Sequence, residues 1–329
     1  MIDYVVRRFL YMVLTVLAVS VVAFGLIQLP PGDYLTTYIA QLEEEGSRAS
    51  EEELLALRLH YGLDRPLYAQ YAQWVWRIVT RGDFGRSFAY DRPAKDLIWE
   101  RLAMTAIMAM ATLVFTYVVS IPIGIYSALN KYSPGDFFFT VIGYTGLATP
   151  NFLLALILMY VGFQYLGASV GGLFSPQYLE VGWSLGKVLD MLSHLWIPVI
   201  VLGTAGTAGL IRVMRGMLLD ELQKQYVITA RSKGLKESTL VYKYPVRIAL
   251  NPLVSTIGWQ LTTIVSGAPI VAVVLSLPTT GPLLLNSLLS QDMFLAGAFI
   301  LILSILTVVG TFISDVLLAA MDPRIRMEQ

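Results

Sequence analysis

Six apolar runs, separated by polar stretches, dominate the chain: about 9–29, 103–129, 137–163, 194–218, 253–277 and 294–319. A helix of ~20 apolar residues crosses a bilayer core of ~30 Å, because each residue rises ~1.5 Å. The run Phe9–Leu29 carries no charge at all. Barrel strands would show short strict alternation instead. The pattern therefore predicts an all-α polytopic membrane protein with six transmembrane helices. It divides into a first transmembrane helix over 1–29, an exterior segment over 30–100, a membrane core over 101–320 and a short tail over 321–329.

Charge sets the expected orientation. Arg7 and Arg8 precede the first run, so the N-terminus is expected in the cytoplasm, and six spans return the C-terminus there with Arg324 and Arg326. Counted this way, cytoplasmic segments hold 13 basic and 8 acidic residues and exterior segments 10 and 15, so a net charge of zero conceals a vectorial asymmetry. The first run is too long for a signal peptide and meets Pro30-Pro31 without a small-x-small cleavage site, so it is expected to be retained. Composition agrees with the pattern: 56% hydrophobic, 14% charged and a mean hydropathy of +0.65.

Three polar regions interrupt the runs. In the exterior segment, Ser50 with Glu53 makes a capping box ahead of an amphipathic helix, and Tyr68–Val79 reads as a second, aromatic-rich helix at the membrane surface. Gly82-Asp-Phe-Gly-Arg-Ser-Phe88 reads as a turn, and 164–193 as an exterior loop rich in Gly and aromatics. The third region, 220–252, is cytoplasmic. From Arg212 to Arg247 it gathers eight Lys or Arg against Asp220, Glu221 and Glu237. It contains helix formers, a Gly stop at Gly234 and Pro restarts at Pro245 and Pro252. That much ordered, basic sequence exceeds what a connector requires and suits a surface gripped by another protein.

Candidate chemistry is sparse. His60 and His194 are the only histidines, there is no cysteine, and neither a zinc motif nor a G-x-S-x-G elbow is present. No G-x-x-x-x-G-K-[ST] loop is available to cradle nucleotide phosphates. Ion-coupled transport would need polar groups deep in the bilayer. Only Arg212, Arg215 and Asp315 lie within the runs, near their inner ends, where interfacial anchoring is the commoner role. Gly203, Gly206 and Gly209 permit close helix approach. Pro150 is expected to bend or start the third span, and Gly267-Ala268-Pro269 to interrupt the fifth. Pro150, Gly206, Gly267 and Pro269 are thus candidate path or hinge positions. A path without a motor should borrow one.

The stretch Tyr226-Val-Ile-Thr-Ala-Arg-Ser-Lys-Gly-Leu235 closely resembles the T-A-R-A-K-G-L form of the coupling loop in binding-protein-dependent ABC importer permeases. Within that family the likeness is to the first permease subunit of the dipeptide/oligopeptide/nickel subgroup. It extends through Arg7-Arg-Phe-Leu10, Tyr61-Gly-Leu-Asp-Arg-Pro66, Gly82–Ser87, Thr149-Pro-x-Phe152, Arg247 with Pro252, Ser266-Gly267 and Asp322-Pro-Arg324, covering essentially the whole chain.

The resemblance implies a type I ABC importer transmembrane fold with a cytoplasmic coupling helix between spans 4 and 5, seated in a cleft of the ATPase subunit. It implies a second permease, two ATPase subunits that bind ATP and Mg, an exterior solute-binding protein, and a bacterial or archaeal inner membrane. No cofactor in this chain and no nucleic-acid partner are expected. Glu221–Lys233 is long enough for about three turns at ~3.6 residues each. Tyr226, Ala230 and Lys233 would share one face, Arg231 and Lys233 would pair with partner acids, and Gly234 would end the helix. With Glu221 these are the expected coupling residues.

The chain also departs from the family pattern. Ile228 and Thr229 stand at the glutamate and first alanine positions. Arg247-Ile248-Ala249 replaces R-N-A, and Val271–Leu275 lacks the acid of V-E-T-V-F. Pro278-Thr-Thr-Gly281 stands for P-G-L-G. Oligopeptide-like cargo is the first expectation. Oligosaccharide is the alternative, because Tyr68, Tyr71, Trp74, Trp76, Phe84, Phe88 and Tyr90 would suit sugar faces. An ion-coupled secondary transporter is the contrasting class.

Overall fold

The structure, a computed structural model, describes residues 2–28, 65–87, 89–167, 171–290 and 292–321. Its helices are α1 (Ile2–Gln28), α2 (Leu67–Arg81), α3 (Ala94–Leu129), α4 (Pro134–Ala148), α5 (Asn151–Leu166) and α6 (Leu185–Leu222). There follow α7 (Gln225–Ser232), α8 (Glu237–Lys243), α9 (Pro245–Ala249), α10 (Asn251–Ser255), α11 (Ile257–Val274), α12 (Thr280–Leu289) and α13 (Met293–Met321). Among the described residues, four helices are individually long and apolar enough to cross a membrane, and six spans result if two bent pairs each count as one. The expected Ser50–Glu53 capping box and the helix after it lie outside the described residues, as do Tyr61–Asp64 and Phe88.

The chain divides into two compact units, residues 1–9, 104–278 and 309–329 forming one and residues 10–103 and 279–308 the other. In the first unit α6 is the hub, packing against α4, α5, α9 and α11. Small residues set these approaches. A Cβ on Gly203 would stand 2.7 Å from Phe115 of α3, and one on Gly206 would stand 3.0 Å from Gln260 of α11. Gly209, by contrast, faces open space. Two of the three charges inside the spans are paired, Arg215 with Asp136 at 2.9 Å and Asp315 with Arg8 at 3.3 Å.

Two expectations about helix breaks are resolved differently. The third span does break at Pro150, which caps the start of α5, and α4 and α5 meet at 109°. Proline cannot supply the N–H that would continue α4, and it drives Thr149 into extended backbone (φ −85°, ψ 123°). Gly267-Ala268-Pro269 does not interrupt the fifth span: α11 is continuous through Pro269, as α3 is through Pro122 and α6 through Pro198. A single lost backbone bond is tolerated inside a helix that its neighbours hold in place.

The second unit packs α2 against α1. Phe24 meets Tyr71 and Trp74 with ring centroids 5.5 and 5.8 Å apart. Ser20 spends its proton on the Leu17 carbonyl, so Tyr71 donates to Ser20 at 2.7 Å. The expected surface helix is therefore docked along one face, leaving Tyr68, Trp76 and Val79 exposed on another. It ends at Gly82 in the left-handed region (φ 60°), with Asp83 N–H donating to Arg77 and Gly82 N–H to Ile78.

The turn after it is built around a short antiparallel hairpin of β1 (Arg86–Ser87) and β2 (Arg92–Pro93). Asp83 accepts from the Gly85 N–H, and Gly85 (φ 97°) brings the backbone against Phe294. Buried Ser87 donates to Asp292 at 2.5 Å, Asp292 also accepts from the Ala89 N–H, and its other oxygen caps α13 by accepting from the Leu295 N–H. Asp292→Ala is expected to cost about 2–3 kcal/mol, because it orphans a buried hydroxyl and removes charge-assisted bonds. Thermal unfolding should show the loss, with faster amide exchange at Ser87, Ala89 and Tyr90; unchanged exchange there would contradict the tie.

Candidate functional site

The segment 220–252 is not a loop but a chain of short helices closing around one apolar cluster. Its breaks follow the backbone chemistry. α6 runs to Leu222, so Glu221 belongs to the last turn of that long helix. Gln223 N–H donates to the Asp220 carbonyl, Lys224 turns to extended backbone (ψ 148°), and α7 begins at Gln225. The expected three-turn helix over Glu221–Lys233 is thus corrected to an eight-residue helix of about two turns. Continuing α6 in a straight line would have carried Val227 away from the cluster that buries it.

Val227 is fully buried and Ala230 half-buried against that cluster. It contains Ile125 and Ala128 of α3, Leu210, Met214 and Leu218 of α6, and Leu240, Val246 and Leu253 of α8, α9 and α10. α3 and α6 lie close here, since a Cβ on Gly124 would stand 2.6 Å from Met214. Tyr117 of α3 donates to the Leu253 carbonyl at 2.8 Å, tying α3 to the junction that leads into α11. Burial of Val227 and Ala230 therefore joins α7 to one apolar cluster with the spanning helices α3 and α6, and α8–α10 lead on from it to α11.

The opposite face of α7 is open. Tyr226, Ile228, Thr229, Arg231 and Ser232 are exposed. Tyr226 and Ala230 thus do not share one free face as expected: Ala230 turns inward, while Tyr226 reaches back across the break and donates to Glu221 at 2.6 Å. Partial burial, then the Glu221 carboxylate, raise the Tyr226 phenol well above its ordinary pKa, so it stays a neutral donor. Arg231 is expected to seek a partner acid, but it holds Glu237 at the start of α8 through two bonds of 2.6 and 3.0 Å. This exposed pair fixes the α7–α8 angle more than it adds stability. Lys233 is past the helix end and exposed, and Gly234 (φ 77°) stops the helix as the sequence predicts. A side chain at Gly234 would meet open space but strained backbone.

The path and hinge candidates do not form one constellation. Gly206 sits at the α6 contact with α3 and α11, and Pro150 at the α4–α5 bend. Gly267 is exposed on α11 with nothing against it, and Pro269 is half-buried inside the same helix. Sequence reasoning missed Asp136. The signal was Ser133-Pro-Gly-Asp136: Ser133 accepts the Asp136 N–H and Pro134 opens the helix, so a capped start was legible although its Arg215 partner was not.

Residues 120–327 match the profile of the binding-protein-dependent transport system inner membrane component, and residues 1–109 that of the N-terminal membrane component of such systems. The chain belongs to this transport family. It is 33% identical over 323 residues to the oligopeptide transport system permease protein AppB of Bacillus subtilis, covering 98% of each. It is 31% identical over 326 residues to the glutathione transport system permease protein GsiC of Escherichia coli K12, covering 99% of each. To the oligopeptide permease OppB of Haemophilus influenzae it is 30% identical, covering 99% of this chain and 100% of the relative. Among solved structures, the MetNI methionine ABC transporter in an inward-facing conformation aligns with a TM-score of 0.53 at 16% identity. That alignment spans 68% of this chain and 94% of the other, and it shows the fold. This ABC importer permease is accordingly a helical, multi-pass membrane subunit that associates with ATPase subunits.

Proposed function

We propose that this permease forms half of the translocation path for oligopeptide-like solutes and is driven through α7. The observation that carries the reading is the two-sided character of α7, one face sunk in the α3–α6 cluster and the other open. A push on the open face would be transmitted to spanning helices without first deforming a flexible linker. Two ATPase subunits hold ATP and Mg, α7 seating in a cleft of one of them; a second permease completes the path; and an exterior solute-binding protein delivers cargo. This chain supplies no cofactor site of its own. Both termini lie in the cytoplasm, and residues 30–100 face outward in a bacterial or archaeal inner membrane. Pairing of Arg215 with Asp136 and of Arg8 with Asp315 speaks against an ion-coupled carrier, whose intramembrane charges must exchange partners during the cycle. Peptide cargo is favoured over oligosaccharide because the full-length relatives are oligopeptide and glutathione permeases.

The test is uptake by the complete importer in vesicles supplied with the solute-binding protein and a labelled oligopeptide. Accumulation is expected with enclosed ATP and not with an imposed proton or sodium gradient. Deleting Tyr226–Gly234 should abolish it. Uptake on a gradient alone, or uptake that survives the deletion, would overturn the reading.

A further inference from the structure

Between α4 and α6 lies an open groove of about 420 Å³ that the coupling site does not use. One wall is an α4 stripe at Asp136, Thr140, Gly143, Tyr144 and Leu147, and the other an α6 stripe at Ala208, Ile211, Arg212 and Arg215. The helices run antiparallel, so the charged residues collect at one end and the apolar ones at the other. Gly143 over Ala208 makes the floor; a Cβ there would only just reach contact at 3.5 Å. The groove exists because both residues are small.

Its charged end is not neutral. Asp136 is buried and accepts two bonds from Arg215 (2.9 and 3.1 Å) and one from the Tyr132 N–H at 2.9 Å. Arg212 is exposed and has no acidic partner among the described residues, and Lys131 stands over the Tyr132 ring beside it. This end lies at the start of α4 and within two turns of the 220–252 segment, at the level of the cytoplasmic interface in the orientation proposed above. From Asp136 to Leu147 the wall rises about 16 Å at ~1.5 Å per residue, close to half of a ~30 Å bilayer core. A groove one leaflet deep, with a spare guanidinium at the headgroup level, has the shape and charge of an anionic amphiphile.

We propose that this groove binds an anionic glycerophospholipid of the inner leaflet, its phosphate on Arg212 and one acyl chain along Tyr144 and Leu147. A soluble phosphate would leave the apolar wall bare. A partner protein would have to lay an apolar segment along the Tyr144 and Leu147 wall inside the leaflet as well as reach Arg212, whereas a phospholipid already places its phosphate and its acyl chain at those two levels. The leaflet assignment rests on the orientation proposed above; the ligand chemistry does not.

The complete importer, with a photo-crosslinking benzophenone residue in place of Tyr144, would be reconstituted in phosphatidylcholine vesicles doped with phosphatidylglycerol and analysed by mass spectrometry after illumination. Phosphatidylglycerol adducts are expected well above the bulk lipid ratio. Arg212→Gln should lower them about fivefold, the factor one basic residue is worth at an anionic interface, and Arg212→Lys should keep most of them. Ala208→Leu, which fills the floor and leaves Arg212 in place, should remove them. Cross-links to the second permease, adducts at the bulk lipid ratio, or indifference to both Arg212→Gln and Ala208→Leu would overturn the proposal. The leaflet is read separately with an impermeant thiol reagent on Lys131→Cys, clean because the chain has no other cysteine. Cytoplasmic labelling without adducts sinks the lipid site alone. Adducts with labelling from outside overturn the inner leaflet and the orientation together.

Discussion

Val227→Asp is expected to reduce solute uptake to background while leaving the spanning helices folded. Full burial of a valine contributes about 1.5–3 kcal/mol. An unpaired carboxylate in the same place costs several kcal/mol, whether it stays ionised or takes up a proton. The cluster that receives position 227 offers it apolar side chains, Ile125, Leu210, Met214, Leu218 and Leu240. Eight residues with one fully buried and one half-buried contact cannot hold against that penalty, so α7 should leave the cluster. α3 and α6 keep their own close approach at Gly124 and Met214, and they remain packed. Basal ATP hydrolysis should therefore persist with its stimulation by loaded binding protein lost, and the unfolding temperature of the span cluster should move little. Uptake above half of the unsubstituted rate would refute the transmission role of α7. Loss of uptake together with collapse of the whole fold would show instead that Val227 serves stability.

The apolar runs were legible because membrane insertion demands one property over a fixed length, and α1, α3, α6 and α13 each carry it unbroken. The end of α7 was legible because Gly234 offers a conformation other residues adopt only under strain. Where α7 begins was not. Glu221 and Gln225 are both good helix formers, and the break between them comes from the apolar contact that Val227 makes, not from a local signal. Proline was equivocal for the same reason. Pro150 ends a helix and Pro269 does not, because the packing of neighbouring helices decides whether one lost hydrogen bond is tolerated. The Gly82–Ser87 motif could be recognised but not explained, since its tie to Asp292 crosses 205 residues of sequence. Arg231 shows a different limit: a basic residue on an open face suits a partner acid, and nothing in the local pattern says that Glu237, six residues on, holds it within the chain.

Arg215→Met should destabilise the protein by about 3 kcal/mol, and considerably more than Asp136→Asn, although both break the same pair. The asymmetry follows from burial. Asp136 is 4% exposed, and without Arg215 its carboxylate loses both charge-assisted bonds while the Tyr132 N–H remains to offset part of its lost hydration. Arg215 has a longer, flexible side chain that is 27% exposed, so on losing Asp136 it can extend its guanidinium toward the interface. Asparagine can also still accept from the Tyr132 N–H. The double variant Asp136→Asn with Arg215→Met should recover most of the loss, because no buried charge remains. A double-mutant cycle on thermal or denaturant unfolding in detergent reads the coupling directly, and a value above about 1 kcal/mol is expected for groups in contact. Near-zero coupling, or a larger loss from Asp136→Asn than from Arg215→Met, would show that the pair does not anchor α4 to α6. Proton-coupled transport gives a different pattern: uptake would then depend on Asp136 itself and would not return in the double variant. Recovery of both stability and uptake would place the pair in the frame that positions α6, leaving α7 as the part on which external work acts.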